Sequence, residues 1–294
     1  MKVGLVDVDS WHFPNLALMK ISAYHKSKGD TVEWADLLTG RYDVAYQSKV
    51  FTDSQDFQYN IRADQIIKGG TGYDLVNKLP TEIERMCPDY SLYGIADISY
   101  GFTTRGCPRN CPFCIVGKKE GLKSCKVADL DNFWKGQKNI ELCDPNLLAC
   151  KSERIDILKQ LIKSKAWVNF NQGLDIRFMD DECSALIKQI KIKMIHFAWD
   201  RDTQSDLIIK NLTTFKKATQ IEERKTRVYV LTSYETTLDF DLYRVYKLKE
   251  LGYDPYIMIY DKPHAPKQIK RLQRWVNNKF IYRSCERFED YKAG

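Results

Sequence analysis

Several features missing from the 294-residue chain narrow its class at the outset. No apolar run approaches the roughly 18 residues that cross a bilayer, so no membrane-spanning helix is expected. The opening MKVGLVDVDSW carries acids where a signal peptide needs an apolar stretch, and a cytoplasmic protein is expected. There is no internal repeat and no low-complexity tract. No second cysteine pair accompanies the one dense cysteine cluster, which counts against the paired knuckles of a structural zinc site. What is present suits a folded protein. Hydrophobic residues make up 44% and aromatics 12%, enough for a sizeable core and too much for global disorder. Nine cysteines in a cytosolic chain read as thiols or metal ligands rather than disulfides.

Strand and helix patterns alternate along the chain. KVGLVDV reads as a buried strand, and a helical pattern runs through Leu16, Met19, Ile21 and Tyr24 to a stop near Gly29. TVEW, YDVAYQSKVF and QIIKGG read as further strands. This alternation predicts a small, doubly wound, Rossmann-like parallel sheet over 1–95, closing with a connection, KLPTEIERMCPDYSLYGIAD. Beyond it ISYGFTT, NIELC, WVNF, KMIHFAW, RVYVLT and YIMIY read as strands. Helices are expected between them over 130–134, 152–164, 180–190, 205–218 and 238–251. Six units over 96–265 make a partial (β/α)6 barrel, too few for the closed eight. The fold class expected is α/β, a partial barrel preceded by a small Rossmann-like domain. In such architectures functional residues gather at the carboxyl ends of the strands.

Residues 266–294 form a basic helix and tail. From Lys262 onward there are nine Lys and Arg against three Asp and Glu, so +6 of the net +7 lies there. One reading is a solvated amphipathic helix packed on the domain by Leu272, Trp275 and Phe280. The other is a nucleic-acid surface, with Trp275, Phe280, Tyr282 and Phe288 supplying stacking among the charges.

The strongest local signal is GFTTRGCPRNCPFC, which places Cys107, Cys111 and Cys114 in a Cys-x3-Cys-x2-Cys run directly after the first barrel strand. Thiolates are the usual ligands of iron–sulfur clusters, and such short spacings let one loop wrap one cubane. Three ligands leave one iron open for chemistry. A redox pair would use Cys111 and Cys114 and leave Cys107 unexplained. Zinc would want a fourth ligand. For Cys87, Cys125, Cys143, Cys150, Cys183 and Cys285 the default reading is a buried thiol.

CPRNCPFC on the first strand of a six-unit partial barrel resembles the radical S-adenosylmethionine superfamily, and the leading α/β domain resembles the cobalamin-binding-type domain of one branch. The resemblance implies a [4Fe–4S] cluster whose open iron binds the amino and carboxylate groups of S-adenosylmethionine. It implies reductive cleavage to methionine and a 5′-deoxyadenosyl radical, which abstracts hydrogen from a substrate. An external one-electron donor of the flavodoxin or ferredoxin type is implied as a partner.

The resemblance also suggests positions beyond the cysteines. Phe113 stands where the family places an aromatic residue near the adenine. Asp144 and Asn146 follow the second strand, where a glycine-rich acidic motif meets the cofactor's amino group; CDPN departs from that motif and also suits a plain turn. After the third strand come Gln172, Asp175 and Arg177. Arg177 suits a carboxylate in two parallel bonds, with Asp175 its structural alternative. Asp200 after the fourth strand is offered to ribose hydroxyls, and Thr232 after the fifth to the adenine.

Cobalamin is not expected. Its lower-ligand signature, Asp-x-His-x-x-Gly, is replaced by Asp9-Ser10-Trp11-His12-Phe13-Pro14-Asn15, with one residue too many and no glycine. His12 reads as a packing or substrate-facing residue. The turn of Gly69, Gly70 and Gly72 resembles a nucleotide-contacting turn. The absence of further clustered cysteines disfavours methylthiotransferases and peptide-modifying enzymes with auxiliary clusters. The substrate is left open among nucleic acid, nucleotide and peptide. The rival function is a nucleic-acid-binding protein with a structural or redox-sensing cluster.

Overall fold

Val3, Leu5 and Val6 make the apolar centre of the first strand, β1 (Lys2–Asp7), and are buried. The structure, a computed structural model, describes residues 1–10 and 13–292. These fall into two compact units, Met1–Glu141 and Leu142–Gly294. In the first, β1 lies in a parallel sheet with β2 (Thr31–Trp34), β3 (Tyr42–Ser48) and β4 (Ala63–Gly69), in the order β2–β1–β3–β4. Helix α1 (Leu16–Ser27) is capped by Asn15, whose side chain accepts the Leu18 N–H at 3.2 Å. It lays Leu18 and Ile21 on Val3, Leu5 and Val44, and Ile83 of the short helix α2 (Thr81–Glu84) joins this core. Each such side chain contributes about 1.5–3 kcal/mol when fully buried.

The sheet is parallel as expected, but it is not doubly wound. The crossovers over 35–41 and 49–62 contain no helix, and β4 leaves Ile66 44% and Ile67 37% exposed. The reason lies in segment 49–62, which runs through Asp53, Ser54, Gln55 and Asp56 and offers no apolar stripe at helical spacing.

A second parallel sheet follows chain order. It comprises β5 (Ile98–Gly101), β8 (Asn139–Leu142), β9 (Trp167–Phe170), β10 (Lys191–Ala198), β11 (Thr226–Thr232) and β12 (Asp254–Ile259). This is the partial (β/α)6 barrel. Between β5 and β8 the crossover carries a two-stranded ribbon, β6 (Thr104–Arg105) with β7 (Cys125–Lys126), and the short helix α3 (Val116–Glu120). The helix expected at 130–134 is a 3-10 turn over Leu130–Asn132, closed by an Asp129 and Asn132 capping box. Later crossovers carry α4 (Arg154–Ser164), α5 (Asp181–Ile187), α6 (Ser205–Thr219) and α7 (Leu238–Glu250).

In β10, Ile195 and Phe197 are buried, and Phe197 meets Phe215 of α6 and Tyr253 edge-on at 5.2 and 6.0 Å. Side chains alternate along a strand. His196 therefore lies on the opposite face, stacked on Tyr229 at 5.0 Å.

The tail forms α8 (Lys267–Asn277) and α9 (Lys279–Ser284). Leu272 and Trp275 pack inward as expected, but Phe280 is 89% exposed. Tyr282 and Phe288 are buried around Trp275 at 5.1 and 5.7 Å. Three of the four aromatic residues offered for stacking nucleobases are therefore core residues.

Candidate functional site

The cysteine loop is shaped from both ends. Antiparallel pairing of Thr104 with Lys126 and Arg105 with Cys125 fixes its base. Gly106 takes φ +88°, and a Cβ there would lie 2.1 Å from the Lys123 carbonyl oxygen, so only glycine fits. Cys107 then donates its N–H to Gly121 O at 3.0 Å, and Cys114 donates to Cys111 O at 2.9 Å, closing the turn between the last two cysteines. Asn110 is left-handed at φ 43°, as the reversal between Cys107 and Cys111 requires. Cys107, Cys111, Cys114 and Phe113 are all half-buried.

This donor set fits a cubane. Each thiolate of a [4Fe–4S] site binds a different iron, so the sulfurs need not converge on a point. Among the described residues no three His, Cys, Asp or Glu converge as ligands of a metal ion. Among the remaining cysteines Cys150 and Cys183 are buried, and burial pushes the Cys183 thiol up to about 12. Cys125 is exposed, against expectation, because its two-residue strand lies at the ribbon surface.

The other expected residues belong to the second unit. Asp144 and Asn146, in the turn after β8, are 3% and 2% exposed. Arg177 grips Asp175 in two bonds, Nε to Oδ1 at 2.6 Å and Nη2 to Oδ2 at 3.0 Å, and its Nη1 donates to Gln204 Oε1 at 2.9 Å. Asn146 Nδ2 reaches Asp175 Oδ2 at 3.4 Å. One polar network thus joins Asn146, Asp175, Arg177 and Gln204 at the carboxyl end of β9. Gln172 is exposed on the neighbouring turn.

Thr232 is fully buried and donates to Met258 O at 3.3 Å. The next residue, Ser233, is left-handed at φ 61°, and its buried hydroxyl has no hydrogen-bond partner among the described residues. Glu235 is left-handed too, at φ 53°. Non-glycine residues in this conformation gather at functional sites. Beside them, burial pushes the Asp200 carboxyl up, against the Arg244 and Arg177 guanidiniums and a backbone hydrogen bond from Leu231.

Arg244 is a residue the sequence reading missed. It is wholly buried, donates to Trp199 O at 2.6 Å and Leu231 O at 2.8 Å, and pairs with Asp241. It therefore ties together the carboxyl ends of β10 and β11, which carry Asp200 and Ser233. The available signal was a charge on the buried stripe Asp241, Arg244, Val245 and Leu248, spaced as one helix face. A surface pocket lined by Trp167, Ile192 and Lys225 opens at the amino ends of β9–β11 and takes no part in this site.

No family model and no curated protein matches the chain. Among solved structures it is similar to TsrM, a radical S-adenosylmethionine methyltransferase from Kitasatospora setae, solved with cobalamin and a [4Fe–4S] cluster bound. The likeness covers 88% of this chain and 74% of that one, with a TM-score of 0.64 and 12% sequence identity. This chain shares the fold of that enzyme. At that identity the likeness is one of fold, and the cobalamin is a property of TsrM.

In the first sheet the strand order turns between β1 and β3, where open parallel sheets take ligands. Here the flanking loops are stitched together. The buried Asp9 accepts the N–H groups of Val50 and Phe51 at 2.7 and 2.8 Å and the Ser54 hydroxyl. Asn15 Nδ2 donates to Ser48 Oγ at 2.9 Å. The face of Gly70 is filled by Lys49 O, 2.2 Å from where a Cβ would stand, so this turn packs on its own chain. His12 lies outside the described residues.

Proposed function

We propose that this chain is a radical S-adenosylmethionine enzyme, with Cys107, Cys111 and Cys114 holding a [4Fe–4S] cluster. The observation that carries this reading is the position of the cysteine loop, in the crossover after the first strand of a sheet with that fold. A bound, reduced cluster supplies the electron that breaks the sulfonium bond and starts hydrogen abstraction. Phe113 would serve the adenine, and Asp144 and Asn146 would serve the amino group. Arg177 spends its two-bond face on Asp175, so the pair would stand beside the carboxylate as a structural ion pair, and Asp200, Thr232 and Ser233 would line the ribose and adenine side. Support for Ser233 is its unsatisfied hydroxyl; Thr232 contributes by packing, since its own hydroxyl is engaged.

In this proposal residues 1–95, 96–265 and 266–294 are the leading domain, the barrel and a structural tail. The enzyme works without cobalamin, a reading supported by the hydrogen bonds that link the loops after β1 and β3. It draws electrons from a flavodoxin or ferredoxin type donor in the cytoplasm and acts on an unidentified substrate. The nucleic-acid-binding alternative loses support because Trp275, Tyr282 and Phe288 are buried.

A direct test is electron paramagnetic resonance of the reduced, anaerobically reconstituted protein. Adding S-adenosylmethionine should shift the cluster signal, because the cofactor binds the open iron. A signal indifferent to saturating cofactor would contradict the assignment.

A further inference from the structure

The first unit contains a half-buried cluster of charges with no part in the chemistry described above. Arg105, two residues before Cys107, donates through Nη1 to Glu120 at 2.7 Å and through Nη2 to Glu84 at 2.9 Å. Glu84 also receives Lys20 Nζ at 2.8 Å, and the same ammonium reaches the Glu84 carbonyl at 2.6 Å. The guanidinium lies over the Phe102 ring at 4.0 Å. Arg105 and Glu120 bracket the three cysteines, so one guanidinium closes the loop that bears them. Glu84 and Lys20 belong to α2 and α1. A second tie runs from Lys119 Nζ to the carbonyls of Asp74 and Asn77, at 3.2 and 2.7 Å.

Half-buried charges lose part of their hydration, and here each finds an opposite charge as partner. Burial works against ionisation of Glu84, but Arg105 and Lys20 outweigh it and hold the carboxyl below its ordinary range. The planar fork of arginine suits it to spanning two carboxylates at fixed angles, which a lysine ammonium does not match. A clasp made only for stability would not need to join both ends of the cysteine loop to two helices and the β4 to α2 connection.

We propose that the leading sheet domain serves as a clamp for the cluster loop, with Arg105 as the positioning residue that closes it. This inference rests on the reading of Cys107, Cys111 and Cys114 as cluster ligands. The clamp holds the cysteines in the spacing the cubane needs and slows loss of iron. It gives the leading domain a role that does not depend on a ligand of its own.

The test follows iron release from full-length, anaerobically reconstituted protein to a ferrous chelator, alongside thermal melting of the iron-free protein. Partners just outside a metal's ligands are worth about ten- to a hundredfold in metal affinity. Arg105→Gln and Glu120→Gln should therefore release iron about tenfold faster, with Arg105→Lys between them and wild type. Iron-free Glu120→Gln should melt with wild type, because Arg105, Glu84 and Lys20 remain joined. If Arg105→Gln does not fold, Glu120→Gln and Arg105→Lys decide the matter. Release at the wild-type rate in both would overturn the clamp, as would iron loss that merely tracks a falling melting temperature. Wild-type protein that takes up no iron would instead overturn the cluster reading on which the clamp depends.

Discussion

The side-chain amide of Asn277 pairs with the backbone of Ile257 as a neighbouring strand would. Ile257 N–H donates to Asn277 Oδ1 at 2.8 Å, and Asn277 Nδ2 donates to Ile257 O at 3.0 Å. Ile257 lies on β12, the last strand of its sheet, whose outer edge is otherwise a template for aggregation. Pro255 has no N–H to offer there, and its carbonyl accepts Lys279 Nζ at 2.8 Å. The basic tail is thus the cover of an open sheet edge. Asn277→Ala should cost about 1–3 kcal/mol in urea unfolding and raise concentration-dependent aggregation. Unchanged values on both counts would remove this role.

Arg244 and Asp241 make a wholly buried ion pair, in which burial pushes the carboxyl up and the guanidinium down. Removing one partner strands the other charge. Arg244→Leu should cost about 3–5 kcal/mol in denaturant unfolding, and the double change Asp241→Leu with Arg244→Leu clearly less than the sum of the singles. Additive losses would show that the pair is not coupled.

Glu84 sets a pH dependence. Its folded carboxyl lies below the ordinary range, so its stabilisation is complete above about pH 4.3 and shrinks as pH falls toward the folded value. Melting of the iron-free protein should show the gap between wild type and Glu84→Gln narrowing below about pH 4.3. A gap that widens on acidification would reverse the assignment.

The tail aromatics separate the two functional readings. Trp275 is fully buried while Phe280 is exposed, so Trp275→Ala should cost about 3–5 kcal/mol and Phe280→Ser within about 0.5. In RNA titrations at several salt concentrations, Phe280→Ser should behave as wild type. A specific loss of binding in that variant, with stability intact, would revive the nucleic-acid reading.

How much of this was legible in the sequence depended on distance along the chain. WVNF became β9 residue for residue, and α6 and α7 end within a residue of their expected limits, because each buries a stripe or strand set locally. The β6–β7 ribbon went unseen since two-residue strands carry no period. Arg105 gave no hint of its role because its partner Glu84 lies 21 residues earlier and Lys20, which shares that carboxylate, lies 85 positions earlier, both brought near only by folding. Asp175 as the partner of Arg177 was foreseen; Gln204, 27 residues on, was not. The missing crossover helices of the first sheet were a misreading of alternation as proof of winding, when segment 49–62 lacks a helical stripe.

The central claim is that Cys107, Cys111 and Cys114 arm a radical reaction. Its most direct test is anaerobic incubation of reconstituted, dithionite-reduced protein with S-adenosylmethionine, with 5′-deoxyadenosine quantified by chromatography. The account predicts 5′-deoxyadenosine from wild type and none from Cys107→Ala, Cys111→Ala or Cys114→Ala. An intact, reduced cluster that yields none, or a triple cysteine variant that yields as much as wild type, would contradict it.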